Sequence, residues 1–381
     1  MQLKPTRGVL VLVTGLLTLT SRPAVAAGLE FDEQTAGPMF RYFADSDHVG
    51  VKSYMADYNM TLPSQVGMSM HWNTEQVTIP AVHAPVGSQE AVDAITTASR
   101  PISGNAYEDF VKVRNEFQGG LTRGPAELDY YVSNEADYLA QQVAGHYDLE
   151  LMNQQLNLSF GSSYGWDDIE PLADDDTQTG PSTKTTLHMN AVATQVVSST
   201  TMVRYGVEYN VVEGLQHNPY RNVYAGGTNV PERHPEHRER RDAFVKLNRF
   251  FDNRSSVRLS YRLYNDDWGI VSHELSSKLS QYITQGMFVR YQYRYYTQTP
   301  ARFYRDEYLT TNGVDGYLSG DYRVGPLSAH LFGLSLNFDL GTMASSMPVF
   351  GRTALVIGYE RYFNSNNYSA DFLETGLDFR F

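Results

Sequence analysis

The chain ends LETGLDFRF, residues 373–381, and this stretch decides how the rest is read. Leu373, Thr375, Leu377, Phe379 and Phe381 fall on one face, with Glu374, Gly376, Asp378 and Arg380 on the other. A period of two is the signature of a strand whose faces meet different surroundings.

The same pattern recurs upstream. SVRLSYRLY sets Val257, Leu259, Tyr261 and Leu263 against Arg258, Ser260, Arg262 and Tyr264. MFVRYQYRYY opposes Met287, Val289, Tyr291, Tyr293 and Tyr295 to Phe288, Arg290, Gln292, Arg294 and Tyr296. MVRYGVEYNV, TALVIGYER and QVGMSMHW repeat it with Val203 to Val211, Thr353 to Tyr359 and Val66 to Trp72. The segments run about ten residues or more, the length a tilted strand needs to cross a bilayer and longer than strands of soluble sheets. The apolar face is therefore read as meeting lipid, and the polar face as meeting a wet lumen.

Strands are expected near 49–61, 64–79, once within 110–132, then 136–150, 153–166, 184–198, 200–213, 239–251, 255–266, 268–282, 284–296, 302–309, 317–324, 327–341, 350–363 and 369–381. The fold class is all-β: a transmembrane antiparallel up-and-down β-barrel of about 16 strands, with 14 as the main alternative, because single-chain bacterial barrels carry even counts. Connections alternate in length. Tight ones lie around Ser199, Asn253 and Thr284; long ones run from Trp166 to Lys184 and from Glu213 to Arg240. With a periplasmic C-terminus, parity makes the long segments extracellular, so Asp174 and His234 are expected at the cell surface and Asn253 in the periplasm.

Residues 1–26 read as a signal peptide. Lys4 and Arg7 precede an apolar run from Gly8 to Leu19, and Ala24-Val25-Ala26 supplies a cleavage site. Residues 27–48 are expected as a periplasmic N-terminal segment and 49–381 as the barrel, in the bacterial outer membrane. Losing Lys4, Arg7 and Arg22 and no acid moves the formal charge from −13 to −16, which argues against nucleic acid as a partner. Cysteine is absent, so no disulfide, thiolate metal site or cysteine nucleophile is available. Tyrosine is abundant at 27 residues against 3 tryptophans, and no segment reads as a long helix. That balance suits a closed sheet in a membrane.

SNEADYLA from Ser133, YRLYNDDWGIVSHEL from Tyr261 and RYQYRYYTQTPARFY from Arg290 resemble an uncharacterised bacterial family catalogued as domain of unknown function 3570. The resemblance covers most of the mature chain. It implies an outer-membrane barrel and carries no established activity.

Three constellations bear on chemistry. DDIEPLADDD holds Asp167, Asp168, Glu170, Asp174, Asp175 and Asp176, oxygen ligands of the calcium type, but the spacing matches no EF-hand loop and reads as a solvated charge run. His217, His234 and His237 share one long loop and form a candidate zinc or copper site, opposed by Arg221, Arg233, Arg238, Arg240 and Arg241 around them. A hydrolase would need a serine converging with a histidine and an orienter; His188 and Asn190 share a polar face, yet no motif marks a serine partner. The chain thus reads as a non-enzyme with no cofactor.

The leading reading is a passive or gated channel, with small solutes, membrane lipid and the barrel insertion machinery as partners. The rival is a non-conducting scaffold or assembly partner for a periplasmic or surface protein. Folding the chain at Asp266–Asp267 and near Thr284 is expected to set Glu274 among Arg258, Arg290 and Arg294, with Arg262 one step along. That is a locally positive lumen wall.

Phe381, Phe379 and Leu377 form the terminal signature that insertion machinery is thought to read. Deleting Phe381 or making it polar should slow assembly without affecting secretion. The yield of heat-modifiable folded barrel measures this, and an unchanged yield would refute it.

Overall fold

Period-two alternation becomes strand along nearly the whole chain in the computed structural model, which describes residues 33–46, 49–79, 110–171, 180–343 and 353–380. The signal segment and Phe381 lie outside the described residues, as do Asp174, Asp175 and Asp176. The first nine strands are β1 (Glu33–Asp45), β2 (Gly50–Thr61), β3 (Val66–Ile79), β4 (Phe110–Arg123), β5 (Ala126–Asn134), β6 (Tyr138–Leu151), β7 (Leu156–Ile169), β8 (Ser182–Ser198) and β9 (Thr201–Gly214). The short β10 (Asn222–Ala225) and β11 (Thr228–Pro231) follow. The chain continues through β12 (His237–Phe250), β13 (Ser255–Asp266), β14 (Val271–Thr284), β15 (Met287–Gln298), β16 (Leu327–Asp339), β17 (Thr353–Asn364) and β18 (Ser369–Arg380).

Sixteen of these close into one antiparallel barrel in sequence order, leaving β10 and β11 as a separate hairpin. Closure runs through β1 and β18, paired from Thr35↔Arg380 to Asp45↔Ala370. Outward positions carry exposed Leu128, Val207, Leu259, Leu275, Tyr291 and Leu373. A belt of bare apolar side chains is costly in water and at home in hydrocarbon. The barrel is thus built to span a membrane.

The alternation gave the faces; the connections need correcting. Residues 302–309 and 317–324, expected as strands, belong to one long connection between β15 and β16. Their apolar residues Phe303, Tyr308, Leu318 and Val324 pack a core of their own instead of lining a sheet face. The interval 110–134 holds two strands, β4 and β5, joined at Gly124 and Pro125, where Gly124 has φ of +57°. Within the segment 27–48, expected to lie outside the barrel, β1 completes the ring. Its Pro38 hid it, since a proline argues against a central strand. Here the β1–β18 ladder steps from Ala36↔Phe379 to Met39↔Gly376, so on that side Pro38 makes no pairing, while on the β2 side it stands opposite Ala56.

The tight connections after β2, β4, β6, β8, β12 and β14 share one end of the barrel, together with the helical turn Leu340–Met343 that follows β16. The long connections 215–236 and 299–326 share the other. A cysteine replacing Leu309, 94% exposed in the second of these, should react with an impermeant maleimide on intact cells. One replacing Asn253, in the β12–β13 turn, should react only after the envelope is opened. The reverse pattern would invert the barrel.

Candidate functional site

Inward faces of β9 to β15 carry the charges. The registers pair Arg204 with Lys246, Arg258 with Lys278, and Arg290 with Ser280, the next inward residue after Lys278. These five cations run as a belt across five neighbouring strands, with Lys246 and Lys278 each within electrostatic reach of several others. Arg258 Nε donates to Asn248 Oδ1 at 2.6 Å and Arg290 Nε to Ser280 Oγ at 3.3 Å, both neutral acceptors. Among the described residues none of the five forms an ion pair with a carboxylate. Across the ring, β2, β5 and β6 present Asp57, Glu127, Asp129 and Asp148 to the lumen.

Toward the long-loop end lies a second belt of mixed sign. Arg262 reaches Glu208 at 2.9 Å and Asp242 at 3.3 Å, and Arg294 reaches Glu274 at 4.0 Å. The guanidinium of Arg262 and the ammonium of Lys246 also sit over the Phe244 ring. That ring lies flat because Gly206 is beside it: a Cβ there would come within 3.0 Å of the ring and 2.9 Å of the Ala191 carbonyl.

The expected cluster is therefore split. Glu274 keeps Arg294 but faces Arg262 and Tyr296 in register, while Arg258 faces Lys278 and Gln292 also faces Lys278. Both hairpins fold about two residues later than expected, which slips each pairing by four. At the first, Asp266 Oδ1 accepts from the Ile270 amide at 2.8 Å and Gly269 takes φ of +93°, moving the bend to Trp268. At the second, β14 runs through a bulge at Tyr282/Thr284 before turning. An even slip leaves every side chain on its face, so all five residues do line the lumen.

At the long-loop end the two large connections fold together into a cap. The β10–β11 hairpin turns on Gly226 and Gly227, both at positive φ, the geometry a two-residue hairpin loop demands. It bridges to the other connection at Ala225↔Tyr308 and Arg233↔Leu318, and Val223, Ala225, Tyr308 and Leu318 form its buried core. Trp268, from the β13–β14 turn, packs with Ile270, Ala301, Phe303 and Val324, and Arg238 stacks on its ring at 4.1 Å. Tyr220 donates to Asp137 in the β5–β6 turn, so the cap reaches from the β15–β16 side across the mouth.

The cap is held by buried charge. Arg221 pairs with Asp321 at 2.9 Å, and Arg323 with the same carboxylate at 2.9 Å. Burial pushes the Asp321 carboxyl up, but Arg323 and Arg221 overcome it and hold the group below the ordinary range. Glu232, 1% exposed, accepts from the Gly320 amide at 2.7 Å and from Ser319 Oγ at 3.1 Å. Burial pushes its carboxyl up to about 7, against the pull of Arg221.

His217 and His234 lie with ring centroids 6.0 Å apart under this cap, whereas His237 is exposed at the rim beside Glu213. His234 is buried against Trp268 and Phe303 instead of facing the cell surface. Burial holds its imidazole down at about 4. The three histidines share no centre, and among the described residues no group of three His, Asp or Glu side chains is placed to hold a metal. His188 faces Ser163 across the β7–β8 register, but its Nε2 accepts from Asn190 Nδ2, and the serine accepts from Gln142. Phe379 and Leu377 sit on the last strand, beside β1 and β17.

Residues 48–349 match the family described as Protein of unknown function (DUF3570). The chain belongs to that family. The matched span runs from β2 through β16 and so contains both charge belts and the cap. No curated protein matches the sequence. Among solved structures, the chain is similar to OccAB1 of Acinetobacter baumannii, at 8% identity and a TM-score of 0.46 over 91% of this chain and 96% of that one. It is similar also to a loop-deleted OmpT of Vibrio cholerae, at 8% identity and a TM-score of 0.44 over 93% and 99%. The siderophore receptor PirA of Pseudomonas aeruginosa matches at 10% identity and a TM-score of 0.42, over 87% of this chain. The chain spans 56% of that receptor's length.

The raised carboxyl of Glu232 makes cap docking depend on pH. With a folded value of about 7 against 4.5 when exposed, its stabilising contribution is complete below about 4.5. It is lost as pH rises to about 7, a loss on the order of 3 kcal/mol. Hydrogen exchange in 215–236 and 299–326, referenced at each pH to Glu232→Gln, should show the wild-type cap loosening between pH 5.5 and pH 8. His217, whose imidazole burial pushes down, is common to both proteins, and His234, whose Nε2 lies 3.9 Å from Glu232 Oε2, is held at about 4, below the range compared. A ratio that does not change with pH would overturn the assignment.

Proposed function

We propose that this protein is an outer-membrane channel, passive or gated at its capped mouth, that favours small anions. One observation carries the reading: Arg204, Lys246, Arg258, Lys278 and Arg290 form a continuous belt in which, among the described residues, no cation pairs directly with a carboxylate, and only Glu208 and Glu360 act on it from a distance. Like charges set on neighbouring strands repel, and each costs more where water is scarce. Such a belt is stable only if water and mobile anions fill the lumen beside it, and fixed cations along one wall of a wet pore favour anions. The acidic residues on the opposite wall add a transverse field that orients a dipolar solute. The net negative charge of the chain does not oppose this, because charges separated by more than about 8 to 10 Å of salt water are screened.

The scaffold reading draws on the cap, which covers part of the mouth with ordered protein. It predicts a barrel that never conducts. In planar bilayers the purified protein should open channels whose reversal potential in a potassium chloride gradient reports anion preference. Replacing Arg258, Lys278 and Arg290 together by glutamine should remove most of that preference. Absence of conductance at every voltage would sink the channel, and unchanged selectivity would make the belt structural.

A further inference from the structure

Beneath the cap lies a cavity of about 530 Å³, walled by the upper ends of β4 to β9 and β12 and roofed by residues 215–218, His234, Asp321, Arg323 and Val324. That is within the size range of sites that take small molecules. Its cations are nearly all spoken for. Arg114 reaches Glu75 at 2.7 Å, Lys184 reaches Asp167 at 2.7 Å, Arg238 reaches Asp266 at 2.5 Å, and Arg323 holds Asp321. Arg240 stands apart: among the described residues it makes no ion pair with a carboxylate, and its Nε is buried without a hydrogen-bond partner.

Four more polar atoms on the same walls are buried without hydrogen-bond partners: Arg114 Nε, Asn218 Nδ2, Gln216 Oε1 and His234 Nε2, the last lying 3.9 Å from Glu232 Oε2. Their chemical sense is fixed by what their other ends do. Asn218 Oδ1 accepts from the Tyr220 amide at 2.9 Å, so the free end is the donor. Gln216 Nε2 donates to the Val212 carbonyl at 3.3 Å, so the free end is the acceptor. His234 Nδ1 lies 3.3 Å from the Gln216 carbonyl, which requires the proton there and leaves Nε2 as a lone pair. Buried polar atoms left unpaired are costly, and a cavity that gathers both kinds beside one unbalanced cation is shaped for a ligand that supplies the complements. Val212, Leu215 and Ile169 give the remaining wall an apolar surface.

We propose that this vestibule binds a small hydroxylated carboxylic acid, its carboxylate on Arg240 and Asn218 and its hydroxyl hydrogen donated to His234 Nε2 or Gln216. A carboxylate alone leaves the two acceptors unpaired; a neutral polyol leaves Arg240 unbalanced. The site does not depend on conduction, and so it stands or falls separately from the channel reading.

The test uses the full-length protein in detergent, with gluconate, hexanoate and glucose as probes in titration calorimetry. Trp268 fluorescence in a Trp72→Phe, Trp166→Phe background gives a second readout. Gluconate should bind with saturation and perturb Trp268, and hexanoate and glucose should bind at least about tenfold more weakly. Arg240→Gln should weaken gluconate at least about tenfold, the effect of losing one charge-assisted contact. Equal affinity for glucose, equal affinity for hexanoate, no binding of gluconate, or an Arg240→Gln protein that binds as before would each overturn the proposal. If Arg240→Gln lacks heat-modifiable folding, the ranking of the three probes on the unaltered protein decides.

Discussion

Everything in this molecule depends on the hydrogen-bonded seam between β1 and β18. A sheet in hydrocarbon cannot leave a row of amides and carbonyls unpaired, since each costs several kcal/mol there. The barrel must therefore close, and the residues from Thr35 to Asp45 are what close it. Once closed, the ring fixes two environments, and a side chain's parity along its strand decides which one it enters. Leu259 and Leu275 face outward on the same strands that turn Arg258 and Lys278 inward.

Closure also concentrates charge. On an open sheet, Arg204, Lys246, Arg258, Lys278 and Arg290 would diverge into solvent. On the concave side of a ring they converge, and their mutual repulsion becomes a property of the lumen. The mixed belt above them behaves differently. Arg262 sits between Glu208 and Asp242 and serves to stiffen the wall. The two belts divide the wall between a stretch that balances its own charge and one that does not.

The cap is a second structure built on the first. Its buried charges, Glu232, Arg221 and Asp321, are held by one another, by the exposed Arg323 and by backbone groups of the two connections. A buried ionic network of this kind is weak evidence for stability, but breaking it by removing one member is strongly destabilising. The arrangement ties two loops that start on different sides of the barrel into one unit. Below it the lumen keeps a cavity whose unpaired polar atoms belong partly to strands and partly to cap.

The sequence by itself determined the barrel, the two faces and the end from which the long loops rise, because all three follow from parity and from connection length. It determined that Arg258, Arg262, Glu274, Arg290 and Arg294 line the lumen. It could not say which of them meet, because a hairpin that bends at Trp268 instead of Asp266 slips the pairing by four residues and leaves the pattern of faces unchanged. The strand β1 was hidden by Pro38, whose harmlessness depends on a gap in a ladder made with the far end of the chain. Segments 302–309 and 317–324 carry alternating apolar residues for a reason that local pattern does not show: they meet Val223 and Trp268 in a core assembled from distant loops. Burial of Glu232 and His234, and the unbalanced charge of Arg240, were likewise decided only in three dimensions. Each is set by which long-range neighbours remove water from a group or fail to pair with it, and that is a property of the folded ring alone.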